Sequence, residues 1–199
     1  MARHRTAAEA REAREARRER HAAETDQAVV INAAARFLEL RSRSVDEVRR
    51  HLTKDSYPAA LVEDAIARLL EIGILDDELF ARLWVESRDR SRPRGSSALR
   101  RELSLRGIDR ETVEAVLGER SQAAETGPDD RDADADTGSP DEAAASRLLA
   151  KNRSALLRIV DPRARRSRAY AILARNGFDP DVCREVSSRV TGLDEGTDD

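Results

Sequence analysis

The chain is poor in several residue types, and each shortage excludes something. Its 199 residues include one cysteine, one tryptophan, two tyrosines and three phenylalanines. A lone thiol, Cys183, excludes an intramolecular disulfide framework and suits a reducing compartment. Six aromatics exclude an aromatic-rich core and leave little material for a base-stacking platform. No apolar run approaches the roughly 18 residues of a membrane span, and residues 1–20 lack the apolar segment of a secretory signal. His4, His21 and His51 share no metal-ligand spacing. Gly95 stands alone rather than in a glycine-rich phosphate loop, and Ser96 and Ser97 have no evident partner base. No acid, base and nucleophile converge, so the chain does not read as an enzyme, and no metal or cofactor is expected.

What is present is charge and helix-forming residues. Charged residues make up 38 % of the chain, and Ala, Leu, Arg and Glu dominate, all good helix formers. The prolines and glycines fall mostly between periodic segments, which predicts an all-α protein. The net charge of −3 argues against a nucleic-acid binder, but the charges are segregated. Residues 119–142 hold nine acids and two arginines, and 194–199 is acidic. Residues 151–175 carry eight basic side chains against Asp161 alone. The periodic parts are therefore basic and the aperiodic parts acidic.

Residues 1–24 mix arginine, glutamate and alanine with no apolar stripe, which predicts a solvated helix or a disordered arm. From Ala28 the pattern sharpens: Val30, Ala33, Ala34, Phe37 and Leu38 form one helical stripe. Ser44 and Glu47 read as a capping box that opens a second helix, with Val45, Val48 and Leu52 inward. Pro58 opens a third, carrying Leu61, Val62, Ala65, Ile66, Leu69 and Leu70, and Gly73 reads as its left-handed C-terminal residue, followed by Ile74 for the hydrophobic contact.

This unit recurs. A Leu, three residues, a small residue and a large apolar one end each middle helix, at Leu52–Ser56–Tyr57, Leu103–Gly107–Ile108 and Leu173–Gly177–Phe178. The following helices open at Pro58, Asp109 and Asp179–Pro180. The leucines lie 51 and then 70 residues apart, and the excess matches the acidic stretch from Ser121 to Asp141, which reads as an unfolded insertion. Ser139–Pro140–Asp141–Glu142 is a further capping box. The expected organisation is a charged arm (1–27), three-helix repeats at 28–75, 76–118 and 141–190, an acidic disordered insertion at 119–140, and an acidic tail at 191–199. Each repeat is too small to bury its own core, so stacking into an elongated, curved array follows.

The middle of the chain is the most specific part. In Leu75–Asp76–Asp77–Glu78–Leu79–Phe80–Ala81, one of the two aspartates reads as an N-cap, and Leu79, Phe80, Leu83 and Trp84 form the next stripe. Adjacent carboxylates at a helix start point apart, so capping explains the pair without chemistry. Arg88, Arg90, Arg92, Arg94, Arg100, Arg101 and Arg106 then face only Asp89 and Glu102. A second cluster, Arg163, Arg165, Arg166 and Arg168, opens the middle helix of the third repeat. Two clusters at comparable places suggest a basic ridge, and arginine favours two-pronged contact with carboxylate or phosphate. Phe37, Tyr57, Phe80, Trp84, Tyr170 and Phe178 fall on apolar stripes or after the repeated turn and read as core. Cys183, beside Val182 and Val186, reads as a core thiol.

Several features together resemble the RecX family, small helical proteins that regulate the RecA recombinase filament. They are Arg43–Ser44 with Glu47 and Leu52; Gly73–Ile74–Leu75–Asp76–Asp77 with Phe80–Ala81; Arg94–Gly95 with Leu103 and Gly107–Ile108; and Arg168, Tyr170, Leu173 and Gly177–Phe178. The resemblance covers roughly residues 28–190. It implies a cytoplasmic, monomeric modulator that lies in the groove of the RecA–DNA filament, limits its growth, and restrains ATP hydrolysis, strand exchange and coprotease activity. By that resemblance the arginine ridge would meet the filament surface and make weak, sequence-independent DNA contact. Ser56 departs from the glycine of the later repeats. Two rival readings stand beside this one: a plain DNA-binding helical protein, and an adaptor whose arginines serve solubility alone.

Overall fold

The computed structural model describes residues 7–125 and 139–190, among which every regular element is a helix. The start of the arm, most of the acidic insertion and the tail lie outside the described residues. The helices are α1 (Ala7–Ala22), α2 (Gln27–Leu38), α3 (Val45–Lys54), α4 (Ala59–Glu71), α5 (Asp77–Ser91), α6 (Ser96–Ser104), α7 (Arg110–Glu125), α8 (Pro140–Lys151), α9 (Arg153–Leu157), α10 (Pro162–Arg175) and α11 (Pro180–Arg189). They form tandem three-helix repeats: α2–α4, α5–α7, and α8 with α10 and α11, the last trio interrupted by the short α9.

The chain divides into two compact units, Met1–Phe80 with Arg106–Ile108, and Ala81–Leu105 with Asp109–Asp199. In the first, α2, α3 and α4 enclose Val30, Ala34, Val48, Leu52, Val62, Ile66, Leu69 and Leu75. Helix α3 starts where Ser44 Oγ accepts the Glu47 N–H. The same hydroxyl donates to the Arg106 carbonyl at 2.6 Å, so a fully buried serine is satisfied twice. Asp76 caps α5 by accepting the Leu79 N–H at 2.8 Å. Asp77 turns elsewhere, and its Oδ1 accepts the N–H of Val45, the first residue of α3. The two aspartates thus serve two different helix starts.

Helix α4 ends as the sequence predicts, with Gly73 at φ 71° and the Gly73 and Ile74 N–H groups returning to Leu70 and Leu69. The apolar contact differs. Ile74 is 55 % exposed and Leu75 enters the core instead. Leu70, Leu79 and Leu83, read as inward-facing, are also exposed. Leu70 and Leu79 are the immediate neighbours of the buried Leu69 and Phe80, at the edges of their stripes, where single apolar side chains commonly stay exposed. Ser56 keeps the geometry of the glycines it replaces: its φ is 71°, and the N–H groups of Ser56 and Tyr57 bond back to Thr53 and Leu52.

Residues 7–22 of the arm take the first of the two expected forms, a solvated helix. Helix α1 buries no residue but docks through polar groups. Arg17 pairs with Asp55 at 3.0 Å, Arg18 reaches the Lys54 carbonyl, and His21 stacks on Tyr57 with centroids 4.2 Å apart. His21 Nδ1 lies 2.9 Å from the Asp55 carbonyl. These groups satisfy the exposed end of α3, a site that an apolar periodicity search does not see.

In the second unit, α8, α10 and α11 enclose Ala145, Leu149, Leu156, Leu173, Phe178, Cys183 and Val186, and Cys183 is a buried free thiol. The acidic stretch expected from residue 119 begins inside a helix, because α7 continues to Glu125. The reason is Arg120, whose side chain is only 8 % exposed and pairs with Asp89 at 2.9 Å and Asp141 at 2.6 Å. Burial opposes its charge, but the bonds to the two carboxylates outweigh it and raise its pKa. Asp141 also accepts the Ser96 N–H at the start of α6, the same service that Asp77 gives α3. Beside it, the Gly95 N–H donates to the Asn176 carbonyl at 3.1 Å. A Cβ on Gly95 would lie 2.2 Å from the Gly177 carbonyl oxygen, so only glycine permits this approach.

Candidate functional site

The eleven arginines picked out from the sequence separate into structural and available groups. Arg88 donates to Glu102 at 2.7 Å and lies 4.3 Å over the Trp84 ring. Trp84 Nε1 donates to the same carboxylate at 2.9 Å. Arg94 joins this cluster, with Nε 3.4 Å from Glu102 Oε1 and a hydrogen bond to the side-chain oxygen of Asn176. Arg165 is buried, and its Nε donates to the Ile159 carbonyl at 3.0 Å. Arg106 is half-buried and its carbonyl receives Ser44. Arg100 is exposed but held by Glu114 through two bonds of 2.8 and 3.0 Å, which raise its pKa and lower that of Glu114. These five are engaged within the fold.

The remaining six are exposed: Arg90, Arg92, Arg101, Arg163, Arg166 and Arg168. Arg90 makes only a loose pair with Glu86, one turn away, at 3.4 Å. Arg92 lies at the end of α5 and the turn after it, and Arg101 on the outer face of α6. The α10 arginines follow an N-cap in which Asp161 accepts the Arg163 and Ala164 N–H groups. All six lie in the second unit. A guanidinium on an exposed helix face, with no fixed carboxylate, can form charge-assisted bonds to phosphate or carboxylate at little desolvation cost.

The aromatics are mostly occupied. Tyr57, Phe80 and Phe178 are buried. Phe37 is covered by Arg43, 4.2 Å from its centroid, and stacks on His51. Burial lowers the Arg43 pKa, in keeping with a guanidinium laid on an apolar ring. Tyr170 is the exception, since it packs on the third-repeat core yet lines a surface hollow. Sequence reasoning missed three things here: the Arg120 pairs, the second role of Asp77 and Asp141, and the hollow beside Tyr170. Acidic residues at helix starts were the available signal for the second. The described residues contain no group of three or more His, Cys, Asp or Glu able to hold a metal, and no helix among them is long and apolar enough to cross a membrane.

The architecture defines a class: an all-helical protein of tandem three-helix repeats. Within that class the comparisons are specific. Residues 31–69 match the first three-helix domain of RecX, and residues 76–117 match the second. The regulatory protein RecX of Thermobifida fusca is 30 % identical over 152 residues, covering 76 % of this chain and 71 % of that one. The regulatory protein RecX of Mycolicibacterium smegmatis is 38 % identical over 94 residues, and that match spans half its length. The crystal structure of RecX from Lactobacillus salivarius shares the fold with a TM-score of 0.66, covering 84 % of this chain and 97 % of that one at 17 % identity. The chain belongs to the RecX family of regulatory proteins.

Proposed function

We propose that this chain binds the RecA–DNA filament and mainly restrains it, slowing ATP hydrolysis, strand exchange and coprotease action and limiting filament growth. It would act as a monomer in the cytoplasm, in the regulation of DNA repair, without catalysis of its own. Family membership supports the partner. The observation that carries the reading is the set of exposed arginines without an ion pair among the described residues, Arg92, Arg101, Arg163, Arg166 and Arg168, against an overall net charge of −3. A face of that kind suits weak, salt-sensitive phosphate contact with little sequence preference, because no side-chain set for reading bases accompanies it. Arg88, Arg94, Arg100, Arg106 and Arg165 would support the fold rather than meet the partner. Repeat boundaries at 28–75, 76–118 and 141–190, with the acidic insertion between the last two, complete the proposal.

The test is the ATPase of RecA on single-stranded DNA with this protein added, beside duplex binding measured without RecA. A reduced ATPase supports the reading. Tight duplex binding with no effect on RecA supports the alternative, a sequence-independent DNA-binding helical protein.

A further inference from the structure

The repeat register set by Leu52, Leu103 and Leu173 aligns Arg49, Arg100 and Tyr170, each three residues earlier. It likewise aligns Glu63, Glu114 and Arg184, each eleven residues later. In the first two repeats these positions form a two-pronged ion pair between the second and third helices. Arg49 meets Glu63 at 2.7 and 3.0 Å, and Arg100 meets Glu114 at 2.8 and 3.0 Å. In the third repeat both partners change. The carboxylate is lost, a guanidinium takes its place, and a phenol stands where the arginine was.

The result is a hollow of about 270 Å³ between α10 and α11, lined by Arg163, Arg166, Ser167, Tyr170, Arg184 and Ser187. The four α10 residues follow the spacing of one helix face. Arg184 is paired with Asp181, one turn back on its own helix. Arg163 and Arg166 have no ion pair among the described residues.

We propose that this hollow is a phosphodiester seat for single-stranded nucleic acid. Arg163, Arg166 and Arg184 would fork onto phosphate oxygens, the Ser167 hydroxyl would donate a further bond, and the Tyr170 ring would support an adjacent unstacked base. The aromatic ring favours a nucleic-acid strand over an acidic peptide, for which the arginines alone would suffice. The proposal deepens the reading above and rests on it for the biological setting.

The internal comparison supplies the test. The double variant Tyr170→Arg with Arg184→Glu rebuilds the ion pair that the first two repeats already carry, so the fold has a precedent within the same chain. Binding of a fluorescein-labelled oligothymidylate to the full chain is read by anisotropy across a salt series, without RecA. The double variant should bind at least tenfold more weakly, since bonds to charged groups are lost. Its salt slope should shrink by about 0.7 for each phosphate contact removed. Arg166→Gln, at an exposed position, should weaken binding in the same direction with an unchanged melting temperature. Unchanged affinity and slope in both variants would overturn the seat while leaving filament control standing. Loss of RecA inhibition with oligonucleotide binding intact would assign the hollow to an acidic protein surface and would overturn it equally.

Discussion

Asp77 Oδ1 accepts the backbone N–H of Val45 at 2.9 Å, so the opening of α5 fixes the opening of α3, 32 residues earlier in the chain. In the second unit Asp141 does the same for Ser96, also at 2.9 Å. A helix start leaves its first N–H groups without intrahelical partners, and a carboxylate there also meets the favourable end of the helix dipole. Asp77→Ala should therefore lower stability by about 0.5–2 kcal/mol in chemical denaturation, and Asp77→Asn should recover part of the loss.

Asp141→Ala should cost more, because it also deprives Arg120 of one of its two carboxylates. Arg120→Ala removes the cation that both carboxylates share, leaving Asp89 with the longer Arg147 pair at 3.8 Å. Breaking a buried pair in this way costs about 3–5 kcal/mol, so both variants should unfold at clearly lower denaturant than Asp77→Ala. Equal midpoints for all three would show that Arg120 is not a joint of the fold.

Ser56 holds φ at 71° without being glycine. The left-handed conformation costs an L-residue about 1–2 kcal/mol, so Ser56→Gly should raise stability by up to about 1 kcal/mol in thermal melting. Gly107→Ala should do the reverse, since its Cβ would fall 2.3 Å from that of Asp46. A Ser56→Gly variant that melts below wild type would mean that the serine side chain contributes more than its backbone strain costs.

The Arg49–Glu63 and Arg100–Glu114 pairs hold both glutamates below their usual range, chiefly through the arginine hydrogen bonds. A depressed carboxylate contributes stability above its unfolded-state pKa, and that contribution disappears as pH falls through the folded-state value. The pairs are exposed, so the effect is small and screened. Glu63→Gln with Glu114→Gln should flatten the acid limb of the stability–pH curve and leave its shape near neutrality unchanged. An identical acid limb in the variant would remove these pairs from the stability account.

The helices and the repeat register were legible because stripes, caps and the Leu-x-x-x-Gly/Ser turn are local signals. Ser44, Ser139, Asp109 and Asp179 all act at helix starts as their positions suggest. Less could be read where the decisive contact is distant in sequence. In sequence Arg120 belongs to an acidic stretch, and only the fold brings Asp89 and Asp141 around it. Arg165 belongs in sequence to a basic cluster, but helical phase turns it inward to the Ile159 carbonyl while Arg166 and Arg168 are exposed. The same holds for Arg88 and Arg94, which a charge count places on a ridge and Glu102 holds within the fold. Composition records how many arginines there are, not which have found a carboxylate.

The most direct measurement uses the exposed arginines. RecA ATPase on single-stranded DNA is followed with increasing amounts of three proteins. They are the wild type, the reversal of Arg92, Arg101, Arg166 and Arg168 to glutamate, and Phe80→Ala. The last should lose about 3–5 kcal/mol as a core truncation, reporting failure by unfolding. The account predicts that the wild type lowers the ATPase at or below stoichiometric amounts. The charge-reversed protein should leave the ATPase untouched while keeping wild-type helicity. An ATPase unaffected by the wild-type chain, or inhibition that survives the reversal in full, would contradict the assignment of filament control to this arginine face.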